Sequence, residues 1–273
     1  MMKELEELAM ASTDAAFGGS IPALYDRNLG PLLFQPYADE VASRIAKAKP
    51  RRILETAAGT GIVTEAIRRA LPDAEIVATD LNQAMLDMAA AARHLTGVEY
   101  QQADALDLPF DEDSFDLVVC QFGVMFYPDK VRGNAEAHRV LRKGGRYLLV
   151  IWDQLDRNPA SQLIHDAVAT VFPDDPPLFI QRAPFGYADP AQIEQDLLEA
   201  GFTDIEFETV PLQSHRSSPR EAAVGMVQGS PLRGEIEQRD PDRMGAATDA
   251  AAHALEALVK GGVFDSELSA HIV

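Results

Sequence analysis

Glu55, Gly59, Gly61, Asp80 and Asp104 are the residues whose types and spacing could do chemistry. The run R-I-L-E-T-A-A-G-T-G-I-V-T at 52–64 passes from apolar, β-branched residues through small ones into a helical pattern. It reads as a buried strand over 52–56, a tight turn and a helix over 62–71. Glycine at 59 and 61 removes Cβ where the backbone must turn sharply or let a ligand approach, and the first N–H groups of the helix point into the same space. A dinucleotide fingerprint G-x-G-x-x-G/A wants Gly or Ala at position 64, where this chain has Thr64. Glu55, at the mouth of the turn, repels a pyrophosphate and attracts a cation. A plain strand-to-helix turn that binds nothing is the alternative.

The surrounding pattern must position these residues. Strands are expected over 75–80 (E-I-V-A-T-D), 98–102, 115–122 (F-D-L-V-V-C-Q-F) and 146–152 (R-Y-L-L-V-I-W), the last following a K-G-G turn. Helices are expected over 83–94 and from about 132 to 141. Continuous apolar strands separated by helices imply a parallel sheet covered on both faces. Ligands of such sheets bind beyond the C-terminal ends of the strands, at the point where strand order reverses. Glu55, Asp80 and Asp104 each follow a different strand, so three acidic groups should converge there. Asp80, one βα unit after Glu55, can accept hydrogen bonds from both hydroxyls of a ribose. That role serves a nicotinamide cofactor equally well, whereas Glu55 and Thr64 do not.

S-adenosylmethionine carries a sulfonium and an ammonium but no phosphate, and fits a turn with a carboxylate at its mouth. The sequence resembles the class I S-adenosylmethionine-dependent methyltransferases, whose first motif E/D-x-G-x-G-x-G appears here as E-T-A-A-G-T-G, with Ala57 in place of the first glycine. An alanine cannot use positive φ freely. The resemblance covers residues 52–152 and is closest to the type 11 group of small-molecule methyltransferases. It implies a doubly wound, mostly parallel seven-stranded α/β sheet of Rossmann-like form, with an antiparallel last strand and helices on both faces. It also implies a cofactor site at Glu55, Ala57, Gly59, Thr60, Gly61, Asp80, Leu81, Met85, Asp104, Ala105, Gln121 and Phe122. In the family Glu55 meets the methionine amino group, Asp80 the ribose, and Asp104 with the Ala105 N–H the adenine, against the apolar faces of Leu81 and Met85. Asp104 could instead cap a turn, and Leu81 and Met85 could be core. Gln121 and Phe122, at the end of the fourth strand, are the expected neighbours of the transferred methyl, with Phe126 and Trp152 as walls. The run A-H-R-V-L-R-K-G-G-R resembles the family's E-x-x-R-V-L-K-P-G-G, which is architectural. A binder that uses the cofactor without transferring its methyl, and a nicotinamide oxidoreductase, are the rival readings.

Composition limits the acceptor. With 24 Lys and Arg against 43 Asp and Glu, a net charge of -19 disfavours nucleic acid and anionic membrane surfaces. A small acceptor fits better. No apolar run reaches the roughly 20 residues of a membrane span, and the acidic start is unlike a signal peptide, so a cytoplasmic protein is expected. The one cysteine, Cys120, lies in an apolar run and is expected to be buried. Six scattered histidines offer no metal-ligand spacing, and no metal is expected. Monomer and homodimer remain equally open. One domain is expected over 1–273: a lead and first helix at 1–48, a cofactor core at 49–153, an irregular insertion at 154–188, and sheet completion with helices at 189–273. Residues 1–16 read as a loose acidic helix. The proline-broken stretches 17–37 and 173–187 cannot form long helices and are expected as lids or as sheet-edge packing, with Tyr25 facing the acceptor. An amphipathic helix follows over 37–48. Helices over 158–172 and 190–200, a strand over 203–212 with 212–217 as its hairpin partner, and helices over 219–227 and about 242–260 complete the reading.

Overall fold

The computed structural model describes residues 21–216 and 218–273, with backbone alone at 215 and 216. The helical lead expected over 1–16 and the start of the stretch at 17–37 lie outside the described residues. The described chain begins with α1 (Ile21–Leu24), a π-helical segment (Tyr25–Phe34) and α2 (Gln35–Ala48). It continues with β1 (Arg52–Glu55), α3 (Ile62–Ala70), β2 (Glu75–Asp80), α4 (Gln83–Arg93), β3 (Val98–Gln102), β4 (Phe115–Gln121), α5 (Lys130–Val140) and β5 (Leu141–Trp152). Then come α6 (Pro159–Val171), α7 (Phe179–Arg182), α8 (Pro190–Glu199), β6 (Glu208–Arg216), α9 (Pro219–Gln228), α10 (Leu232–Arg239), α11 (Met244–Leu255), β7 (Val259–Lys260) and β8 (Val263–Ile272).

The strands form one mixed sheet of order β3-β2-β1-β4-β5-β8-β6, with β7 paired to β8. Strands β1 to β5 are parallel, and the last strand runs antiparallel to β5 through Val150↔Ile272 and Trp152↔Ala270. Order reverses at β1, whose two neighbours are β2 and β4. This is the doubly wound Rossmann-like arrangement. Ile53 and Leu54 of β1 are fully buried, as a central parallel strand requires.

The fold divides into two compact units. One comprises Tyr37–Trp152, Tyr187–Val210 and Ala270–Val273, and contains β1 to β5 whole. Its core packs Leu54, Val77, Phe115 and Val118 of the sheet against Ala137 and Val140 of α5. The other comprises Met1–Pro36, Asp153–Gly186 and Pro211–Ser269. In it α9 packs closely on the π segment, because a Cβ on Gly225 would lie 2.8 Å from Asn28 Cβ.

Three sequence expectations are corrected. The stretch from residue 21 is helical despite its prolines. Pro22 lies in the first turn of α1, where no N–H is needed, and Pro31 lies inside the π segment, which closes with the Gln35 N–H donating to Gly30 O, five residues back. The K-G-G turn is part of β5: the register passes from Phe115↔Leu141 to Leu117↔Arg146, so a bulge takes up the extra residues, with Gly144 at φ +79°. The strand expected over 203–212 begins only at Glu208 and runs on through its expected hairpin partner as one strand, β6, which keeps Pro211 because it lies at the sheet edge. Helix α10 and the whole of β8 were not expected.

The irregular stretch at 173–187 is tied down within its own unit. Glu235 Oε2 accepts from the Leu178 N–H at 2.8 Å and the Phe179 N–H at 3.3 Å, and its Oε1 accepts from Arg182 Nη2 at 2.7 Å.

Candidate functional site

The turn between β1 and α3 engages four of its backbone donors. The Thr56 N–H donates to Val119 O at 2.9 Å, the Ala58 N–H to Thr79 O at 2.8 Å, and the Gly61 N–H to Ala58 O at 3.0 Å. The Gly59 N–H donates to Asp80 Oδ2 at 2.8 Å. Four donors that could cradle a phosphate are thus engaged. Gly59 at φ +56° and Gly61 at φ +79° hold the left-handed turn, and a Cβ on Gly61 would lie 3.0 Å from Ala89 Cβ of α4.

Ala57 also has positive φ, +52°, a conformation that alanine cannot use freely. This conformation costs an L-residue about 1–2 kcal/mol, so the surrounding turn holds it there.

Glu55 is 2% exposed, and Thr64 Oγ1 donates to its Oε2 at 2.6 Å. The residue that breaks the dinucleotide fingerprint is therefore the partner of the carboxyl that attracts a cation. Burial raises the Glu55 pKa to about 8, with the charge of Asp80 adding and the Thr64 hydrogen bond and the nearby Arg93 opposing. The carboxyl lies beneath the turn, deeper than its mouth. With a pKa of about 8 it favours the neutral form near pH 7, because burial outweighs the opposing charge of Arg93.

Asp80 ends β2 and is also buried, which raises its pKa, while the N–H groups of Asn82 and Gly59 oppose the shift. Its Oδ1 accepts from the Asn82 N–H at 2.8 Å and its Oδ2 from the Gly59 N–H. Oδ1 also accepts from Asn82 Nδ2 at 3.4 Å, so Oδ2, with the Gly59 N–H alone, is the oxygen that keeps a lone pair for a ligand hydroxyl, and a hydroxyl at Oδ1 would compete with the long Asn82 amide contact. Thr60 is buried, and its hydroxyl has no partner among the described residues. A ligand carrying a cation and a vicinal diol fits these acceptors, and two buried carboxyls beside the turn disfavour a pyrophosphate.

The remaining expected residues divide by location. Met85 is buried, and its Cε would lie 3.6 Å from a Cβ on Gly59; Leu81 is 53% exposed. Asp104 is exposed, and its Oδ1 accepts from the Leu106 N–H at 2.9 Å, the turn-capping alternative. Ala105 lies within that turn, which meets β2 where the Ala103 N–H donates to Asp80 O. Gln121 ends β4, and the Phe122 N–H donates to Val150 O at 2.8 Å. The Phe122 ring stacks on Trp152 at 3.8 Å and 8°, and Tyr37 meets both rings edge-on. Phe126 lies in the short helix Val124–Phe126 after β4. Tyr25 belongs to the other unit and stacks on Phe34 at 4.9 Å. Cys120 is buried, 3.5 Å from the Tyr127 hydroxyl, which donates to Thr56 Oγ1. Among the described residues, no group of three His, Cys, Asp or Glu is placed to hold a metal, and no helix is long and apolar enough to cross a membrane.

The sequence reading missed Thr64 as a partner, Asn82 as the second donor to Asp80, and Tyr37 in the aromatic group. The pairing of Thr64 with Glu55 had a signal, since two polar residues flank the turn on elements that both face the core.

Residues 54–149 match the Methyltransf_11 family, a methyltransferase domain. The chain is 41% identical over 104 residues to a demethylmenaquinone methyltransferase from Deinococcus radiodurans, a match covering 37% of this chain and 43% of the relative. The chain thus spans less than half the length of that relative. Among solved structures, an N-methyltransferase 2 from Haemonchus contortus, in complex with phosphomonomethylethanolamine and S-adenosylhomocysteine, aligns over 92% of this chain and 56% of its own. Its TM-score is 0.55 and its identity 18%. A protein from Bacillus halodurans C-125, inferred to be a methyltransferase, aligns over 86% of this chain and 96% of its own, with a TM-score of 0.54 and 23% identity. These likenesses define the fold. Residues 54–149 thus match a methyltransferase domain, the kind of family that the first motif resembles.

Proposed function

We propose that the protein transfers the methyl group of S-adenosylmethionine to a small molecule of the quinol class. The observation that carries the reading is the Glu55–Thr64 pair beneath a turn in which the Thr56, Ala58, Gly59 and Gly61 N–H groups are already engaged, beside the carboxyl of Asp80. Glu55 is assigned to the ligand's ammonium, Asp80 to its ribose hydroxyls, Gly59, Thr60 and Gly61 with Ala57 to the methionine chain, and Leu81, Met85, Asp104 and Ala105 to the adenine. Residues 49–153 hold the cofactor. The cofactor supplies a methyl on a sulfonium, already a good leaving group, so the protein's work is to position the acceptor in line.

The acceptor class is carried over from the demethylmenaquinone methyltransferase relative. When bound, the cofactor would supply an electrophilic methyl to a ring carbon beside a phenolic hydroxyl of a reduced naphthoquinone, with S-adenosylhomocysteine as the neutral leaving group and the ring proton passing to solvent. The test is transfer of labelled methyl from S-adenosylmethionine to reduced demethylmenaquinone by the purified protein. Labelled menaquinol supports the proposal. Tight cofactor binding with no transfer to quinols, phenols, amines or carbonyl acids would favour a non-catalytic binder.

A further inference from the structure

Two non-glycine residues with left-handed backbone, Ala57 at φ +52° and Phe122 at φ +56°, follow the C-terminal ends of the neighbouring parallel strands β1 and β4. They meet through Gly123. A Cβ on Gly123 would lie 2.4 Å from Ala57 Cβ, closer than two carbons can approach, and 2.9 Å from Cys120 Sγ. The Ala57 methyl therefore fills the space that any side chain at 123 would need. Strained backbone persists where its surroundings over-determine it, and it gathers at functional sites. Phe122 is held from three directions: its N–H by Val150 O, its ring by the Trp152 stack, and the backbone after it by the Ala57 methyl. A glycine at 57 would relieve the strain at that residue but leave a methyl-sized void beside Gly123, and interiors packed to crystal density do not close such voids without movement.

We propose that Ala57 and Gly123 interlock, so that the cofactor turn fixes Phe122 in its left-handed conformation and Ala57 acts as a positioning residue for the acceptor step. This rests on the methyltransferase reading, in which the tip of β4 faces the acceptor. The departure from the family's first glycine is then matched by a glycine on the facing turn.

Trp152 is the sole tryptophan of the chain, so its fluorescence reports the Phe122 ring stacked on it. The experiment uses the full chain with Cys120→Ala throughout, which removes the sulfur contact, and compares Ala57→Gly, Gly123→Ala and the double variant. Gly123→Ala alone is expected to shift Trp152 emission and to lower kcat for reduced demethylmenaquinone by about a hundredfold, the scale of a 1 Å misplacement. Adding Ala57→Gly should restore the emission and most of kcat. A double variant no better than Gly123→Ala, or unchanged emission in Gly123→Ala, overturns the interlock. If Gly123→Ala does not fold, Ala57→Gly decides: altered emission with reduced kcat supports the proposal, and wild-type values of both overturn it. If the wild-type protein methylates no acceptor, the proposed function fails, while the emission arm still decides the interlock.

Discussion

Glu55→Gln is the perturbation that most directly probes why the turn has its composition. The free carboxyl is fully buried, with a pKa raised from 4.5 to about 8. A carboxyl whose folded pKa lies above its unfolded value destabilises the fold when ionised: the folded state binds the proton more tightly, so stability falls as pH rises from about 4.5 to 8. At 1.36 kcal/mol per unit, the loss is on the order of 5 kcal/mol across that window. A cationic ligand reverses the preference, because it favours the ionised form. Binding S-adenosylmethionine should then release about 0.9 proton at pH 7, and affinity should rise up to tenfold per pH unit before levelling above pH 8. Titration calorimetry in buffers of different ionisation enthalpy counts the proton, and urea unfolding between pH 5 and 9 gives the stability. Glu55→Gln should abolish both dependences. Wild-type binding with no proton release, and with affinity flat from pH 6 to 8, would refute the reasoning that burial keeps Glu55 neutral until the cation arrives.

The other predictions concern single contacts. Thr64→Val removes the hydroxyl that donates to Glu55 while keeping its shape, and should cost about 1–3 kcal/mol of stability at pH 8, read by urea unfolding. Asp80→Ala leaves the Gly59 and Asn82 N–H groups without their acceptor and removes two oxygens from the ligand; it should weaken S-adenosylhomocysteine binding about thirtyfold, or ~2 kcal/mol, by calorimetry. Glu235→Ala frees three donors of 178–182, and should speed limited proteolysis within 173–187 with little change in cofactor binding.

The parallel core was legible because its strands announce themselves twice, by apolar runs and by the turn or helix pattern after each run. β2 and β3 have the bounds expected of them, and β1 and β4 end one residue early, at Glu55 and Gln121, where the chain turns up toward the site. β8 was not read, although Phe264, Leu268, Ala270 and Ile272 alternate along it. Ser266 interrupts the apolar face of that alternation, and the pairing with β5 that makes it a strand lies far away in sequence. The π segment was unreadable for another reason: Pro31 argues against an α-helix, and nothing local signals that hydrogen bonds reaching five residues back can continue past it. In the site, Glu55, Gly59, Gly61 and Asp80 could be named from type and spacing. Thr64 was noticed for what it excludes and not for what it holds, and the contact between Ala57 and Gly123 joins two turns that only the sheet brings together. Asp104 shows the limit of a motif: its carboxylate caps its own turn, a use equally consistent with its residue type.

The central claim is that the turn after β1 selects a cation with a vicinal diol over a pyrophosphate. Equilibrium binding of S-adenosylmethionine and of NADH to the same wild-type preparation tests it most directly. The account predicts saturable binding of S-adenosylmethionine, displaced by S-adenosylhomocysteine and weakened by Asp80→Ala, with no NADH binding in the same range. NADH binding that competes with S-adenosylmethionine, or that persists where S-adenosylmethionine does not bind, would contradict it.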